Sequence, residues 1–347
     1  MQICISHSIA AFEELAHLWQ DLLARAPGVS PFMRPTWLRT WWEHFGEGEL
    51  HLVTFKEEGR LVGLIPLRRI ARDGQWILET FGEEVTDYLD PLVEPGWEEA
   101  VIQVFLAWLT RPEAPGWDAV LLWNTREDSA LFPLWPGAAA AHGLTAHVEQ
   151  LAICPMIPLP PTWEAYLQLL DRKDRHELRR KIHRLEAVED ARWYLLQWDG
   201  PEADEAIEAF LTLMAASHPE KAAFLHERMR AFFRQVIRQG LREGWARLSF
   251  LEIEGKKAAA FLDFEDRDRI WLYNAGLNPR YAGLSPGVVL LAYLIRQAIA
   301  QGKQVFDLLR GDEPYKFRFG AREVPLHRIR IARDRPAGDR TSPASAS

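Results

Sequence analysis

The sequence predicts a mixed α/β fold built from two similar halves. Three observations lead there. Segments with strand and helix periodicity alternate along the chain, which implies a sheet covered by helices. The 347 residues are 48% hydrophobic and 26% charged, ordinary for a globular chain and long enough for two domains. One hairpin pattern also occurs twice. Phe55-Lys56-Glu57-Glu58-Gly59-Arg60-Leu61-Val62-Gly63 and Leu251-Glu252-Ile253-Glu254-Gly255-Lys256-Lys257-Ala258-Ala259 each read as a strand, a Glu-Gly turn, a basic residue and a small-residue strand, and each follows two helices.

The elements follow from local pattern. Phe12, Leu15, Leu18, Trp19, Leu22 and Leu23 recur at helical spacing, so 10–26 is expected to be one helix, stopped by Gly28. A second, aromatic-rich helix is expected over 31–45, then the hairpin within 51–70. Short strands are expected at 76–81 and 88–93, a helix at 97–110, a strand at 118–123, a helix at 129–142 and a strand at 144–149. Cys154 to Pro161 carries four prolines and must be extended, the expected bridge between halves. Thr162 then caps a helix that continues into a basic one at 172–188. A strand near 192–198, helices at 202–216 and 226–240, and strands near 246–253, 257–265 and 269–275 come next. A helix at 286–301 and strands at 304–309 and 325–331 complete the second half. The tail from Asp334, rich in Pro, Ser, Ala and Gly, is expected to be disordered.

Composition excludes several classes. A net charge of −8 argues against wholesale nucleic-acid coating, although a local basic face could hold an anion. Two cysteines, Cys4 and Cys154, make neither a disulfide framework nor a zinc site, and the histidines lack metal-ligand spacing, so no metal is expected. The N-terminus does not read as a signal peptide, and no run approaches the ~20 apolar residues of a membrane span. A reducing, cytoplasmic location is the simplest fit.

Two segments concentrate chemistry. Between a strand and a strongly apolar helix lies Asn278-Pro279-Arg280-Tyr281-Ala282-Gly283-Leu284-Ser285-Pro286-Gly287-Val288. Ser285 is the expected N-cap and Pro286 suits the first helical position. A helix start offers free N–H groups to phosphate, Gly283 and Gly287 permit close approach of backbone, and Arg280 could add a charge-assisted bond. A plain strand-to-helix turn is the competing reading. The second segment, Phe306 to Gly320, ends a short apolar strand in a polar cluster of Asp307, Arg310, Asp312, Glu313, Tyr315 and Lys316, where open α/β sheets bind ligands. Solvated surface charge is the alternative there. The helix Arg172 to Arg184 has seven Arg/Lys against two acids and reads as either a solvated face or an anion-binding one. Asp87 and Tyr88 follow a strand of the first half and could face a cleft or form a turn.

RYAGLSPGVVLLAYLI followed by VFDLLRGDEPYKFRFG resembles the acetyltransferase family related to the cellulose-biosynthesis protein CelD, within the GNAT superfamily. The resemblance extends to SHPEKAAFLHERMRAFF, DRKDRHELRRKIHRLE and the N-terminal FMRPTWLRTWWEHFGEGELHLVTFKEEGRLVGLIPLRR. It implies two tandem GNAT-like domains, each a mixed, mostly antiparallel sheet flanked by helices. They would be a degenerate one at 1–153 and an acetyltransferase domain at 154–333, with 334–347 as tail. It also implies acetyl-CoA, or another acyl-CoA, as co-substrate. Against the pyrophosphate motif Arg/Gln-x-x-Gly-x-Gly/Ala, Arg280 and Gly283 match the first and fourth positions, and Ser285 stands where Gly or Ala is usual.

The implied reaction is acyl transfer from acyl-CoA to an amine or hydroxyl of a small-molecule or cell-envelope, polysaccharide-related acceptor. Asp307 is the expected base, Tyr315 the acid for the leaving thiolate, and backbone N–H groups between strands near 270–276 and 304–309 the oxyanion donors. Lys316 and Arg310 would hold an anionic substrate, with Lys316 alternatively pairing with Asp312; Asp312, Asp87 and Tyr88 complete the expected acceptor contacts. Two alternatives stand beside it: a FemAB-type aminoacyltransferase using aminoacyl-tRNA, and a non-catalytic component of exopolysaccharide biosynthesis.

Overall fold

The two repeated hairpins fold alike down to their irregularities. In a computed structural model that describes residues 1–26 and 28–333, both Glu-Gly turns are left-handed at each position, with φ of 49° and 80° at Glu58-Gly59 and 51° and 71° at Glu254-Gly255. That backbone matches the twist of the flanking strands. In the first hairpin Lys56 faces Leu61 but Phe55 faces Gly63, so Val62 is an extra, bulged residue. In the second, Glu252 faces Lys257 but Leu251 faces Ala259, so Ala258 is bulged at the same distance from the turn. The tail from Asp334 lies outside the described residues.

The chain opens with β1 (Gln2–Ser6), α1 (Ala11–Glu14) and α2 (Ala16–Arg25). The single helix expected over 10–26 is therefore interrupted, at a buried Leu15 with φ −90° and ψ −7°. Next come α3 (Pro35–Phe45), β2 (Glu49–Glu57), β3 (Arg60–Arg72), β4 (Gln75–Glu79), β5 (Leu92–Val93), α4 (Glu98–Leu109), β6 (Ala119–Arg126), α5 (Trp135–Ala141) and β7 (Leu144–Pro158). The strand expected over 88–93 shrinks to β5 because the chain before it is a loop bonded to β6. The helix expected from 129 begins at Trp135, after a 3-10 turn containing Pro133. The proline-rich bridge continues β7, since prolines lack N–H groups but keep carbonyls: Pro155 O accepts from Leu308 N at 2.9 Å.

The second half has α6 (Trp163–Leu169), capped as expected by Thr162 Oγ1 on Ala165 N (3.1 Å), and the basic α7 (Arg172–Glu186). It continues with β8 (Arg192–Leu196), α8 (Ala203–Ser217), α9 (Pro219–Phe224), α10 (Glu227–Glu243), β9 (Ala246–Ile253), β10 (Lys256–Asp266), β11 (Arg269–Leu277), α11 (Pro286–Ala300), β12 (Val305–Asp307), α12 (Pro314–Arg318) and β13 (Arg322–Arg333). The short α9, with His218 Nδ1 accepting from Glu220 N, has no counterpart among the expected elements.

The described residues form two compact units: 1–26, 47–151 and 326–333 in one, and 28–46 with 152–325 in the other. The first has strand order β1-β2-β3-β4-β6-β13-β7, with β5 on β3, and the second β7-β12-β11-β10-β9-β8; β7 gives its early residues to one and its late residues to the other. In both, antiparallel strands dominate and one parallel pair, β4/β6 or β11/β12, spans a helical crossover. The fold is mixed α/β, as expected.

Each unit borrows from the other half of the sequence. β13 pairs with β6 and buries Leu326, Ile329 and Ile331 completely. Residues 28–46 complete the core of the second unit: Phe32 and Trp37 pack edge-on against Phe264 at 5.7 Å and Tyr273 at 5.5 Å, and Trp37 against Phe232 at 5.4 Å. A protein of residues 154–333 alone lacks that aromatic wedge and is expected to show no cooperative thermal transition. A transition as sharp and as high as that of the full chain would contradict this.

Candidate active site

β11 and β12 meet over three residues and then part. Arg269, Ile270 and Trp271 pair in parallel with Val305, Phe306 and Asp307, and β12 ends there. β11 runs on to Leu277 with a bulge at Tyr273, between Leu272 opposite Asp263 and Asn274 opposite Leu262. Asn278 N donates to Ala258 O at 3.0 Å. The antiparallel alternation from that bond turns the N–H and C=O of Ala275 away from β10, toward the edge that β12 has left. The result is a slot with an open strand edge on one wall. Gly276 lets α8 lie directly on this strand: a Cβ there would stand 2.5 Å from Met214 N.

The other wall is shaped by Asp307 and Lys316. Asp307 is fully buried; its Oδ1 accepts from Leu309 N at 2.9 Å, and its Oδ2 lies 3.8 Å from Arg269 Nη1. This turns the chain through Leu309, left-handed at φ 53°, away from β11. Lys316, 3% exposed, donates to the carbonyls of Leu309 (3.2 Å), Arg310 (2.9 Å) and Gly311 (3.3 Å) and pairs with Glu313 at 3.0 Å. Its carboxylate partner is Glu313, not Asp312, which is exposed. These bonds make Asp307 and Lys316 positioning residues for the loop. Arg310 contributes its carbonyl to the same clamp.

The helix start is built differently from the expectation. Asn278 Oδ1 accepts from Arg280 N at 3.1 Å and opens a 3-10 turn, Pro279–Leu284. Ser285 then stands at the N-cap position of α11 but is left-handed (φ 52°, ψ 50°), and its side chain makes no capping bond. The conformation explains why Gly suits this place: a side chain there is strained. With Pro286 at the first helical position and no cap, the N–H groups of Gly287 and Val288 have no acceptor within the helix. Gly283 has open space where a Cβ would stand, so a ligand can approach its backbone, whereas Gly287 is small to clear Leu277, whose Cδ2 a Cβ there would meet at 2.7 Å. Arg280 is exposed, its guanidinium 5.9 Å from the Tyr281 ring.

Cations gather around this helix start. Arg184 of α7 donates to Gly283 O at 3.1 Å. A cavity of about 70 Å³ is lined by Lys181 and Leu178 of α7, Val288 of α11, and Tyr315, Arg318 and Phe319, together with the acids Asp174 and Glu177, the latter 3.8 Å from Lys181. Tyr315 is 38% exposed, yet desolvation of its hydroxyl, with Glu313 adding to it, pushes the phenol above its ordinary pKa. One residue here carries no signal in sequence. Lys221 on α9 donates from Nζ to Ala275 O at 2.7 Å, on the slot edge, and Glu313 and Lys316 are close enough to act on its charge. A lysine before Ala-Ala-Phe reads as a surface residue; its reach is evident only once α8 is seated on Gly276.

The first unit repeats the parallel pair without the slot. Ile77, Leu78 and Glu79 pair with Ala119, Val120 and Leu121. The loop that follows fills the gap: Thr80 N donates to Leu121 O (3.0 Å), Trp123 N to Thr80 Oγ1 (2.9 Å) and Leu89 N to Asn124 O (3.1 Å). Asn124, left-handed at φ 50°, holds Thr86 O at 2.7 Å through Nδ2. Asp87 and Tyr88 belong to this loop and are buried, with the Arg126 guanidinium 5.1 Å from the Tyr88 ring. Beside them, burial pushes Asp90 up to about 6 despite Arg126 and the Ser129 hydroxyl. Among the described residues no group of three or more His, Cys, Asp or Glu could hold a metal, and no helix is long and apolar enough to cross a membrane.

Residues 172–317 match the family described as acetyltransferase (GNAT) domain. No match is found among curated proteins. Among solved structures, FemX is similar with a TM-score of 0.66 at 10% identity, covering 95% of this chain and 97% of that one. A conserved protein of unknown function from Bacteroides thetaiotaomicron is similar at 0.60 and 11%, covering 95% and 100%. The C-terminal domain (DUF2156) of a putative lysylphosphatidylglycerol synthetase from Agrobacterium fabrum follows at 0.58 and 13%, covering 92% and 91%. At these identities the likeness is one of fold.

Two outcomes follow. Lys316→Met is expected to lower stability by about 1–3 kcal/mol, the cost of leaving buried carbonyls unmet; an unchanged denaturation midpoint would remove the clamp. Asp90 holds its proton more tightly when folded than at its ordinary value of 3.8. Its contribution to stability is therefore full below about pH 4 and lost as pH rises through about 6. Melting temperatures across that window should fall less steeply in Asp90→Asn, and parallel profiles would contradict the assignment.

Proposed function

We propose that the second unit is an acyltransferase that takes an acyl group, acetyl in the simplest case, from acyl-CoA. The group passes to an amine or hydroxyl of a small-molecule or sugar-type acceptor. The observation that carries this reading is the parting of β11 and β12 beside an uncapped helix start ringed by Lys181, Arg184 and Arg318. The N–H groups of Gly287 and Val288 and these cations suit the CoA phosphates. The thioester would lie along the Ala275 edge, with backbone N–H groups meeting the oxyanion. Tyr315 is the group to protonate the departing thiolate, and Asp307 and Lys316 act through the loop they hold. The acceptor attacks the thioester directly, with no covalent enzyme intermediate. The resemblance to the family related to CelD supports a polysaccharide-type acceptor.

A second reading is aminoacyl transfer from aminoacyl-tRNA. The exposed Arg172, Lys173 and Arg179 on α7 favour it, since a row of cations on one helix suits a phosphate backbone. Calorimetry separates the two. Acetyl-CoA should bind the full chain, and Lys181→Ala and Arg318→Ala should each weaken it about tenfold, the scale of one charge-assisted bond. Binding of tRNA with no measurable acetyl-CoA binding would overturn the first reading in favour of the second.

A further inference from the structure

The second unit holds an amine that none of these roles uses. Its other lysines either face a carboxylate or are exposed. Lys316 is clamped as described, and Lys303 Nζ lies on Asp266 O at 2.7 Å and Glu265 Oε1 at 2.6 Å. Lys181 and Lys257 face the carboxylates of Glu177 and Glu252 at 3.8 and 3.9 Å, and Lys173 and Lys256 are exposed. Lys221 is different. Its hydrogen bond is to a neutral carbonyl, Ala275 O, and among the described residues no carboxylate lies within ion-pair distance. Burial is the largest influence on it and lowers its pKa; the Lys316 ammonium lowers it further, against Glu313, whose carboxylate is already paired with Lys316. An amine in this setting is neutral more of the time than an exposed lysine, and the neutral amine is the nucleophile.

We propose that Lys221 is a self-acylation site: with acyl-CoA in the slot, Nζ takes the acyl group as an amide. This rests on the acyl-CoA reading above. The geometry supplies the reason. Ala275 O fixes Nζ on the same strand edge along which the thioester is proposed to lie, so the reaction gains from proximity rather than from unusual nucleophilicity. The ammonium first loses a proton to solvent. The nitrogen lone pair then forms the C–N bond, the C–S bond breaks, and the departing thiolate takes the second proton from nitrogen, leaving an amide and free CoA thiol. The amide keeps one N–H, which can still donate to Ala275 O. The acyl chain then occupies the slot, so the modified protein carries a resident blocking group there.

The test uses the full chain and acetyl-CoA, with Lys173 and Lys256 of the same molecules as internal controls for uncatalysed acylation. Calorimetry first establishes binding, and peptide mass spectrometry then follows each lysine over time. Lys221 is expected to be acetylated at least about tenfold faster than either control, a small part of what proximity can provide. Lys221→Arg should bind acetyl-CoA but show no fast site. Binding of acetyl-CoA with Lys221 modified no faster than the exposed controls would overturn this proposal and leave the acyl-CoA reading intact. Absence of binding would overturn both.

Discussion

The three-residue contact between β11 and β12 is the constraint on which the candidate site depends. Parallel strands would ordinarily continue side by side, because each further pair satisfies backbone groups that are otherwise left open. Here continuation is prevented from both sides. The bulge at Tyr273 redirects β11, and Asp307 bends the other chain away through Leu309. Lys316 then holds three successive carbonyls of the departing loop, so the open edge is stabilised by side-chain bonds placed outside it. The polar residues of that loop serve first to keep a strand edge available.

The first unit shows the same framework with the opening closed. Its hairpin bulge, its parallel pair and its crossover helix correspond to those of the second. The difference lies in the loop after β4, whose Thr80, Thr86 and Leu89 bond to the strand edge that a ligand would otherwise meet. The same framework can therefore keep one slot and fill the other through the loop that follows its parallel strand. The buried Asp87 and Tyr88 and the half-buried Asp90 belong to that filling.

Much of the architecture is legible in the sequence because it rests on local rules. The Glu-Gly hairpins, the Thr162 cap and the proline-rich strand each follow from backbone preferences of the residues present. What escapes depends on partners distant in sequence. The aromatic helix at 31–45 reads as part of the first half, yet Trp37 finds Phe232, Phe264 and Tyr273. Ser285 has the chemistry of a cap but the backbone of a glycine. Lys316 and Asp307 read as reactive because charged residues at a strand end suggest chemistry; burial among carbonyls and amides gives them the work of holding the loop. Lys221 is invisible in sequence because a close helix approach at Gly276 brings it to the slot.

Amide hydrogen exchange of the full chain with and without coenzyme A reports which backbone groups a bound ligand meets. New protection is expected in the peptides covering 272–277 and 283–290, which hold the Ala275 N–H and the uncapped start of α11, and none over 80–91, where the equivalent edge is already bonded. Protection over 80–91, or none at the β11 edge under conditions where coenzyme A binds, would contradict this.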